Sequence, residues 1–138
     1  MLYAAAVFLF VVDRALKLYA LASPTTRPLA PFVNFALFKN TGLVASLPVP
    51  AFVYWMVSML GIVGLVGILL FIIKKQSAIT TLLLTVILLG ALSNSFDRIA
   101  YRATIDYLIF FNRSAVNIAD GMIIAGVIAL LWPKKLQK

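Results

Sequence analysis

Cysteine and histidine are both missing from this sequence of 138 residues. Without cysteine there can be no disulfide and no thiolate metal site, and without histidine a zinc site would need carboxylates alone. Acidic side chains are scarce too: there are four, all aspartate, against twelve Lys and Arg, and the formal net charge is +8. The sequence therefore predicts no metal centre.

Charged residues of either sign make up only 12% of the chain, whereas 64% is hydrophobic and the mean hydropathy is +1.08. These values lie far outside the range of soluble domains and indicate an integral membrane protein. In a soluble protein the basic excess would suggest nucleic acid, but here anionic lipid and orientation in the membrane explain it better. We expect membrane lipids as partners and no nucleic acid.

Four apolar runs are long enough to cross a membrane, because a hydrocarbon core of about 30 Å needs roughly 17 to 25 helical residues. The predicted spans are 2–22, 52–73, 79 to about 96, and 116–132. We predict one all-α membrane domain over residues 1–138. Residues 1–22 end in Ala-Leu-Ala, as a cleaved signal peptide can, but no basic region precedes their apolar core.

The connections between the spans differ in character. Residues 23–51 hold five of the six prolines and alternate loosely between them, which predicts a short hairpin or small sheet on the membrane surface. Residues 98–115 mix three arginines with "YLIFF", which predicts an interfacial loop among the headgroups. The predicted fold is thus four transmembrane helices with a small β-rich outer segment and an interfacial outer loop.

Lysines near the span ends predict the orientation. They lie in the tight turn "KKQSA" and in the C-terminal tail, and they make one face basic and therefore cytoplasmic: Lys74, Lys75, Lys134, Lys135 and Lys138. Both termini are then cytoplasmic, and the segments 23–51 and 98–115 lie on the outer side.

All four acids fall in the outer half of this arrangement. Asp13 lies in the second half of span one, Asp97 at the end of span three, Asp106 in the outer connection and Asp120 one turn into span four. A carboxylate at mid-membrane costs about 2.5 to 3.5 kcal/mol, so such acids usually face partners, cavities or substrates. The clustering predicts a polar pocket beneath the outer segments.

Residue spacing supports a shared interior. Asn94 and Asp97 are separated by three positions, as are Asn117 and Asp120, so each pair projects from one side of its helix. Asp13 and Lys17, separated by four, can form an ion pair with a structural role.

Simpler interpretations exist for each group. Asn117 and Asp120 have the residue types of a helix cap and a first-turn acid. Asp97 and Arg98 can form an interfacial ion pair that ends span three. By propensity alone, the stretch Asn40-Thr41-Gly42 is a turn.

Five motifs in order along nearly the whole chain resemble the lipoprotein signal peptidases (signal peptidase II), four-span aspartyl proteases of the bacterial inner membrane. They are "DRALK" in span one, "NTG" in the outer segment, "GALSNSFDR" ending span three, "TIDY" after it and "VNIAD" opening span four. The resemblance implies removal of signal peptides from diacylglyceryl-modified prolipoproteins, with cleavage just before the lipidated cysteine. It also implies an active site toward the outer face.

Carried over by motif, the resemblance makes Asp106 and Asp120 the catalytic pair. A protonated and an ionised carboxylate supply an acid and a base, so no cofactor is required. The candidate pocket residues are Asn40, Gly42, Asn94, Arg98 and Asn117. We assign Asp13, Lys17 and Asp97 to structural support, and we expect a monomer.

The chain departs from the family pattern at several places. Leu89 and Ser93 stand where the family usually has glycines that allow close helix packing, and the loop between Asp106 and Asp120 is short and lacks proline. We expect these departures to alter substrate fit and rate more than the type of chemistry.

Two other classes of function fit a small four-span protein. A transporter or ion channel would use one membrane-embedded carboxylate, Asp13, near mid-membrane. A non-catalytic scaffold would need none of the aspartates for more than stability.

Overall fold

The computed structural model describes residues 2–42, 50–72 and 77–132. Within them the chain forms helices and strands in this order: α1 (Leu2–Ala22), β1 (Arg27–Ala30), β2 (Val33–Asn40), α2 (Ala51–Ile72), α3 (Ala78–Tyr101), β3 (Thr104–Phe110), β4 (Ser114–Val116) and α4 (Ile118–Leu131). Helices α1, α2 and α4 lie within two residues of their predicted bounds at either end. The predicted helices are therefore present.

Capacity to cross a membrane is a separate property of these helices. By length and composition, α3 is the one helix of the described residues that is long and apolar enough to do so, and α4 is a shorter apolar helix. Helix α1 carries three charged residues, Asp13, Arg14 and Lys17, all in its second half. The basic residues that predict the orientation, in the tight turn and the tail, lie outside the described residues.

Helix α3 continues five residues beyond its predicted end near Phe96. It runs through Asp97 and Arg98 and stops at Arg102, whose backbone is left-handed (φ 57°) and whose N–H donates to the Arg98 carbonyl at 3.0 Å. The prediction was wrong because both polar side chains find partners inside the protein, so the helix need not end where they begin.

The segment 98–115 is not a loop, and that prediction is corrected. After the last turn of α3 it forms β3 and then β4, which join β1 and β2 in one antiparallel sheet of order β1-β2-β3-β4. The predicted hairpin in residues 23–51 is the pair β1–β2, and its β2 edge binds β3 in a register that places Phe38 opposite Asp106. A strand edge leaves backbone groups unpaired, and β3 satisfies those of β2.

An aromatic core fixes this sheet against α1. Phe35 of β2 and Tyr107 of β3 are buried, with ring centroids 5.6 Å apart, and they pack around Ala20 of α1. Tyr19 of α1 lies 5.6 Å from Phe35 on another side. The contact places β3, and with it Asp106, beside the second half of α1.

Helices α3 and α4 approach closely because two glycines face the contact. A Cβ on Gly90 would lie 2.7 Å from the carbonyl oxygen of Ala119, and one on Gly126 would lie 2.5 Å from Cγ1 of Ile87. The absence of side chains lets the backbones meet. The first turn of α4 is thereby brought against the half of α3 that carries Asn94.

Candidate active site

The first turn of α4 is held by a reciprocal cap. The side-chain oxygen of Asn117 accepts from the N–H of Asp120 at 2.8 Å, and the N–H of Asn117 donates to Oδ2 of Asp120 at 3.2 Å. The simpler interpretation of this pair, as a cap and a first-turn acid, therefore holds. It does not exclude a chemical role, because the half-buried Asp120 also accepts at Oδ1 from the amide of Asn94 at 2.8 Å.

Asp106 comes from β3 and is 1% exposed. Its Oδ1 accepts from Nδ2 of Asn117 at 2.6 Å, and its Oδ2 accepts from Nδ2 of Asn40, at the end of β2, at 3.3 Å. The side-chain oxygen of Asn40 accepts from the N–H of Gly42 at 3.1 Å. The stretch after β2 is thus a local turn, as its propensity predicts, and the same turn aims an amide at Asp106.

Asn117 joins the two acids. Its side-chain amide binds Asp106, and its backbone N–H binds Asp120. Asp106 of β3 and Asp120 of α4, which are fourteen positions apart in the sequence, therefore both contact Asn117. A carboxylate accepts about four hydrogen bonds, and each acid accepts two in these contacts, so each can accept another.

Burial raises the pKa of Asp106, and the negative charge of Asp120 raises it further, to about 7. Hydrogen bonds from Asn40 and Asn117 and the positive charge of Lys17 act in the opposite direction. At neutral pH the pair therefore holds a proton for part of the time, which is the condition that acid–base catalysis by two carboxylates requires.

Charged residues of α1 and α3 form a buried network behind this site. Lys17 Nζ lies 3.0 Å from Oδ2 of Asp13 and 2.8 Å from Oδ2 of Asp97, and all three side chains are 0% exposed. The predicted pair of Asp13 and Lys17 is present. Asp97 pairs with Lys17 and Arg14.

The network reaches the site through Asn94. Its Oδ1 accepts from Lys17 Nζ at 2.8 Å, while its Nδ2 donates to Asp120. Because an amide has one acceptor end and one donor end, Lys17 fixes which end of Asn94 faces the acid.

Arg98 lies one turn beyond Asn94 on α3. Its Nε donates to the hydroxyl of Thr104 at 2.8 Å, and its positive charge interacts with those of Asp106 and Asp120. Of the predicted pocket residues, the three asparagines contact an acid, Arg98 acts on both acids electrostatically, and Gly42 binds Asn40.

Three contributors were missed as site residues by the sequence reasoning: Arg14, Ser93 and Tyr107. Arg14 was detectable, because it is a third charge in an apolar helix and lies three positions before Lys17. Ser93, a departure from the family pattern, donates to Oδ2 of Asp13 at 2.6 Å. The hydroxyl of Tyr107 donates to Oδ1 of Asp13 at 2.9 Å, and no local signal predicts a contact across 94 positions.

The surroundings of Asp13 do not favour a transporter or channel. Asp13 is 0% exposed, and it accepts hydrogen bonds from Ser93, Tyr107 and the backbone N–H of Ala119, in addition to its ion pair with Lys17. A carboxylate that binds a transported ion needs access to it, whereas these contacts enclose Asp13. Among the described residues, no three acidic side chains are grouped so that they could hold a metal ion.

Comparisons with known proteins agree with one another. The family model described as signal peptidase (SPase) II matches residues 5–134. The lipoprotein signal peptidase of Polynucleobacter necessarius subsp. necessarius (strain STIR1) is 30% identical over 139 residues, covering 94% of this chain and 85% of the relative. That of Shewanella baltica (strain OS195) is 31% identical over 142 residues, covering 94% and 82%.

Solved structures share the fold. A bacterial membrane enzyme determined by the in meso method at 2.3 Å resolution superposes with a TM-score of 0.77 at 21% identity, covering 96% of this chain and 88% of that one. A second, at 1.9 Å resolution, gives a TM-score of 0.74 with 92% and 90% coverage.

Proposed function

The chain belongs to the signal peptidase II family, and from that premise we propose that Asp106 and Asp120 are its catalytic pair. The protein is an aspartic protease that removes signal peptides from prolipoproteins. The observation that carries the assignment of the pair is their common contact with Asn117, at 2.6 Å for Asp106 and 3.2 Å for Asp120.

The chemistry follows from one proton shared by two carboxylates. The ionised member takes a proton from a water held between them, and the water oxygen attacks the scissile carbonyl carbon while the protonated member donates to the carbonyl oxygen. When the tetrahedral intermediate collapses, the C–N bond breaks, the departing amine takes the proton that the first carboxylate removed from water, and a hydroxyl of the intermediate returns a proton to the other carboxylate. The products are a carboxylic acid and an amine. The pair titrates as a unit, so we assign the two roles jointly.

Polar groups around the pair are suited to hold the substrate backbone. A peptide in a dry site has amide groups that each cost about 1 to 3 kcal/mol if left unpaired. Asn40, Asn94 and Asn117 supply amides beside the acids, and Arg98 supplies a positive charge near both. We assign these four residues and Gly42, which binds Asn40, to the substrate pocket.

We further propose a multi-pass protein with four spans in one domain over residues 1–138, with both termini cytoplasmic and the active site toward the outer face. Large apolar side chains that are more than half exposed support contact with lipid on every helix: Phe8 and Val11, Leu60 and Val63, Ile79 and Phe96, Ile128 and Leu131. In this arrangement a signal peptide enters sideways from the bilayer, its diacylglyceryl group stays in lipid, and cleavage occurs just before the modified cysteine. The proposed active unit is a monomer.

The test uses purified protein in detergent or liposomes with a diacylglyceryl prolipoprotein, and loss of the signal peptide is followed on a gel. Asp106→Asn and Asp120→Asn should each abolish cleavage, because asparagine can neither take nor give the shared proton. The same substrate without diacylglycerol serves as the control for lipid recognition. Thermal unfolding of each variant, matched to that of the unmodified protein, shows that the fold is intact.

If both folded variants cleave at the normal rate, the assignment of the catalytic pair is wrong. An ion flux through liposomes that contain the protein, abolished by Asp13→Asn, would instead support a channel or transporter.

A further inference from the structure

The hydroxyl of Tyr107 has no role in the proposed cleavage mechanism. The side chain is 0% exposed and follows Asp106 directly in β3. Its hydroxyl accepts from the backbone N–H of Ile118 at 3.0 Å and donates to Oδ1 of Asp13 at 2.9 Å. One oxygen atom thus links β3, the start of α4 and α1.

The start of α4 depends on this link. The first N–H groups of a helix have no acceptor within the helix and need one from outside. The N–H of Ile118 donates to the Tyr107 hydroxyl, and the N–H of Ala119 donates to Oδ1 of Asp13 at 3.2 Å. Asp13 is itself held at its other oxygen by Ser93 and Lys17.

We propose that the Tyr107 hydroxyl is a positioning group that sets the spacing between Asp106 and Asp120. The inference rests on the proposed function, since it presupposes that these two acids react together. Asp106 is the neighbour of Tyr107 along the strand, and Asp120 lies two positions after Ile118 in the first turn of α4. The hydrogen bond between Tyr107 and Ile118 therefore joins the two backbone segments that carry the acids.

The hydroxyl can be tested apart from the ring. The ring of Tyr107 packs against Phe35 with centroids 5.6 Å apart, so Tyr107→Phe keeps this packing and removes one oxygen. Tyr19 offers a matched control, because its ring also lies 5.6 Å from Phe35 while its side chain is 42% exposed. Tyr19→Phe removes a hydroxyl from the same aromatic cluster without touching α4.

Steady-state cleavage of the diacylglyceryl prolipoprotein gives the first measurement. We expect Tyr107→Phe to lower kcat by about tenfold, because small losses of alignment act mainly on the transition state. The KM should stay within about twofold, since the substrate-binding amides remain in place. Tyr19→Phe should leave both constants unchanged.

The pH profile of kcat gives a second measurement, which a merely stabilising role would not move. Asp106 faces charged and polar groups from the elements around it: Asp120 of α4, Asn117 that caps α4, Asn40 of β2, Lys17 of α1 and Arg98 of α3. If Asp120 moves away, its charge raises the pKa of Asp106 less. The basic limb of the Tyr107→Phe profile should then lie at lower pH than that of the unmodified protein.

The outcomes separate this inference from the proposed function. An unchanged kcat together with an unchanged basic limb in Tyr107→Phe would overturn the positioning role while Asp106→Asn and Asp120→Asn remain inactive. Normal cleavage by those two aspartate variants would overturn the catalytic pair itself, whatever Tyr107→Phe does.

Discussion

Lys17→Met tests the buried charge network most directly. Lys17 is 0% exposed and neutralises two carboxylates, Asp13 at 3.0 Å and Asp97 at 2.8 Å, which are also 0% exposed. Methionine has a similar length and no charge, so the variant removes the cation that two buried acids share and leaves the ion pair of Arg14 with Asp97. Removing one partner of a buried ion pair costs about 3 to 5 kcal/mol. For a chain of this size that corresponds to a fall in the unfolding midpoint of roughly 10 °C or more.

Thermal unfolding of the purified protein in detergent, followed by circular dichroism, measures the effect. Lys39→Met is the matched control, because Lys39 lies exposed on β2 and the same substitution there should shift the midpoint little. Adding Asp13→Asn to Lys17→Met removes the charge that Lys17 neutralised at Asp13, while Asp97 keeps its pair with Arg14, and should recover part of the lost stability. A midpoint for Lys17→Met equal to that of Lys39→Met would refute the view that this cluster depends on its buried lysine.

Two further predictions concern pH and packing. Cleavage by the unmodified protein should decline as pH rises through about 7, because Asp106 has its pKa raised to about 7 and the pair loses its shared proton above it; a kcat that is constant across roughly pH 6 to 9 would contradict this. Gly90→Ala should destabilise the protein by about 1 to 3 kcal/mol and slow cleavage, since the new Cβ would lie 2.7 Å from the Ala119 carbonyl oxygen at the first turn of α4. Gly61→Ala in α2 meets nothing within 4 Å and should be neutral or slightly stabilising; equal effects of the two changes on the unfolding midpoint would count against close helix packing as the cause.

Much of the site could be predicted from neighbouring residues. The residue types of Asn117 and Asp120 predict a helix cap and a first-turn acid, and the structure has a reciprocal cap between them. The spacing of Asp13 and Lys17 likewise predicts their ion pair. Interactions across three or four positions depend on local geometry at a helix, so they can be predicted from the spacing of the residues.

The conformation of residues 98–115 could not be read in the same way. The aromatic and arginine content predicts an interfacial loop. Asp106 nevertheless lies on a strand, because β3 pairs with the edge of β2, in which Asn40 precedes Asp106 by sixty-six positions. Strand pairing depends on a distant partner as well as on local composition.

The sequence by itself determined the apolar helices, the hairpin between the first two of them and the choice of Asp106 and Asp120 as candidate acids, because each follows from a pattern of residues a few positions apart. Only the tertiary structure decided that Asn117, which caps the helix beside Asp120, also contacts Asp106, and that Tyr107 accepts a hydrogen bond from the start of α4. Those contacts join a strand to the start of a helix, so they form only when the chain folds back on itself. Their energy depends on residues that are distant in the sequence, which a pattern of neighbouring residues does not show.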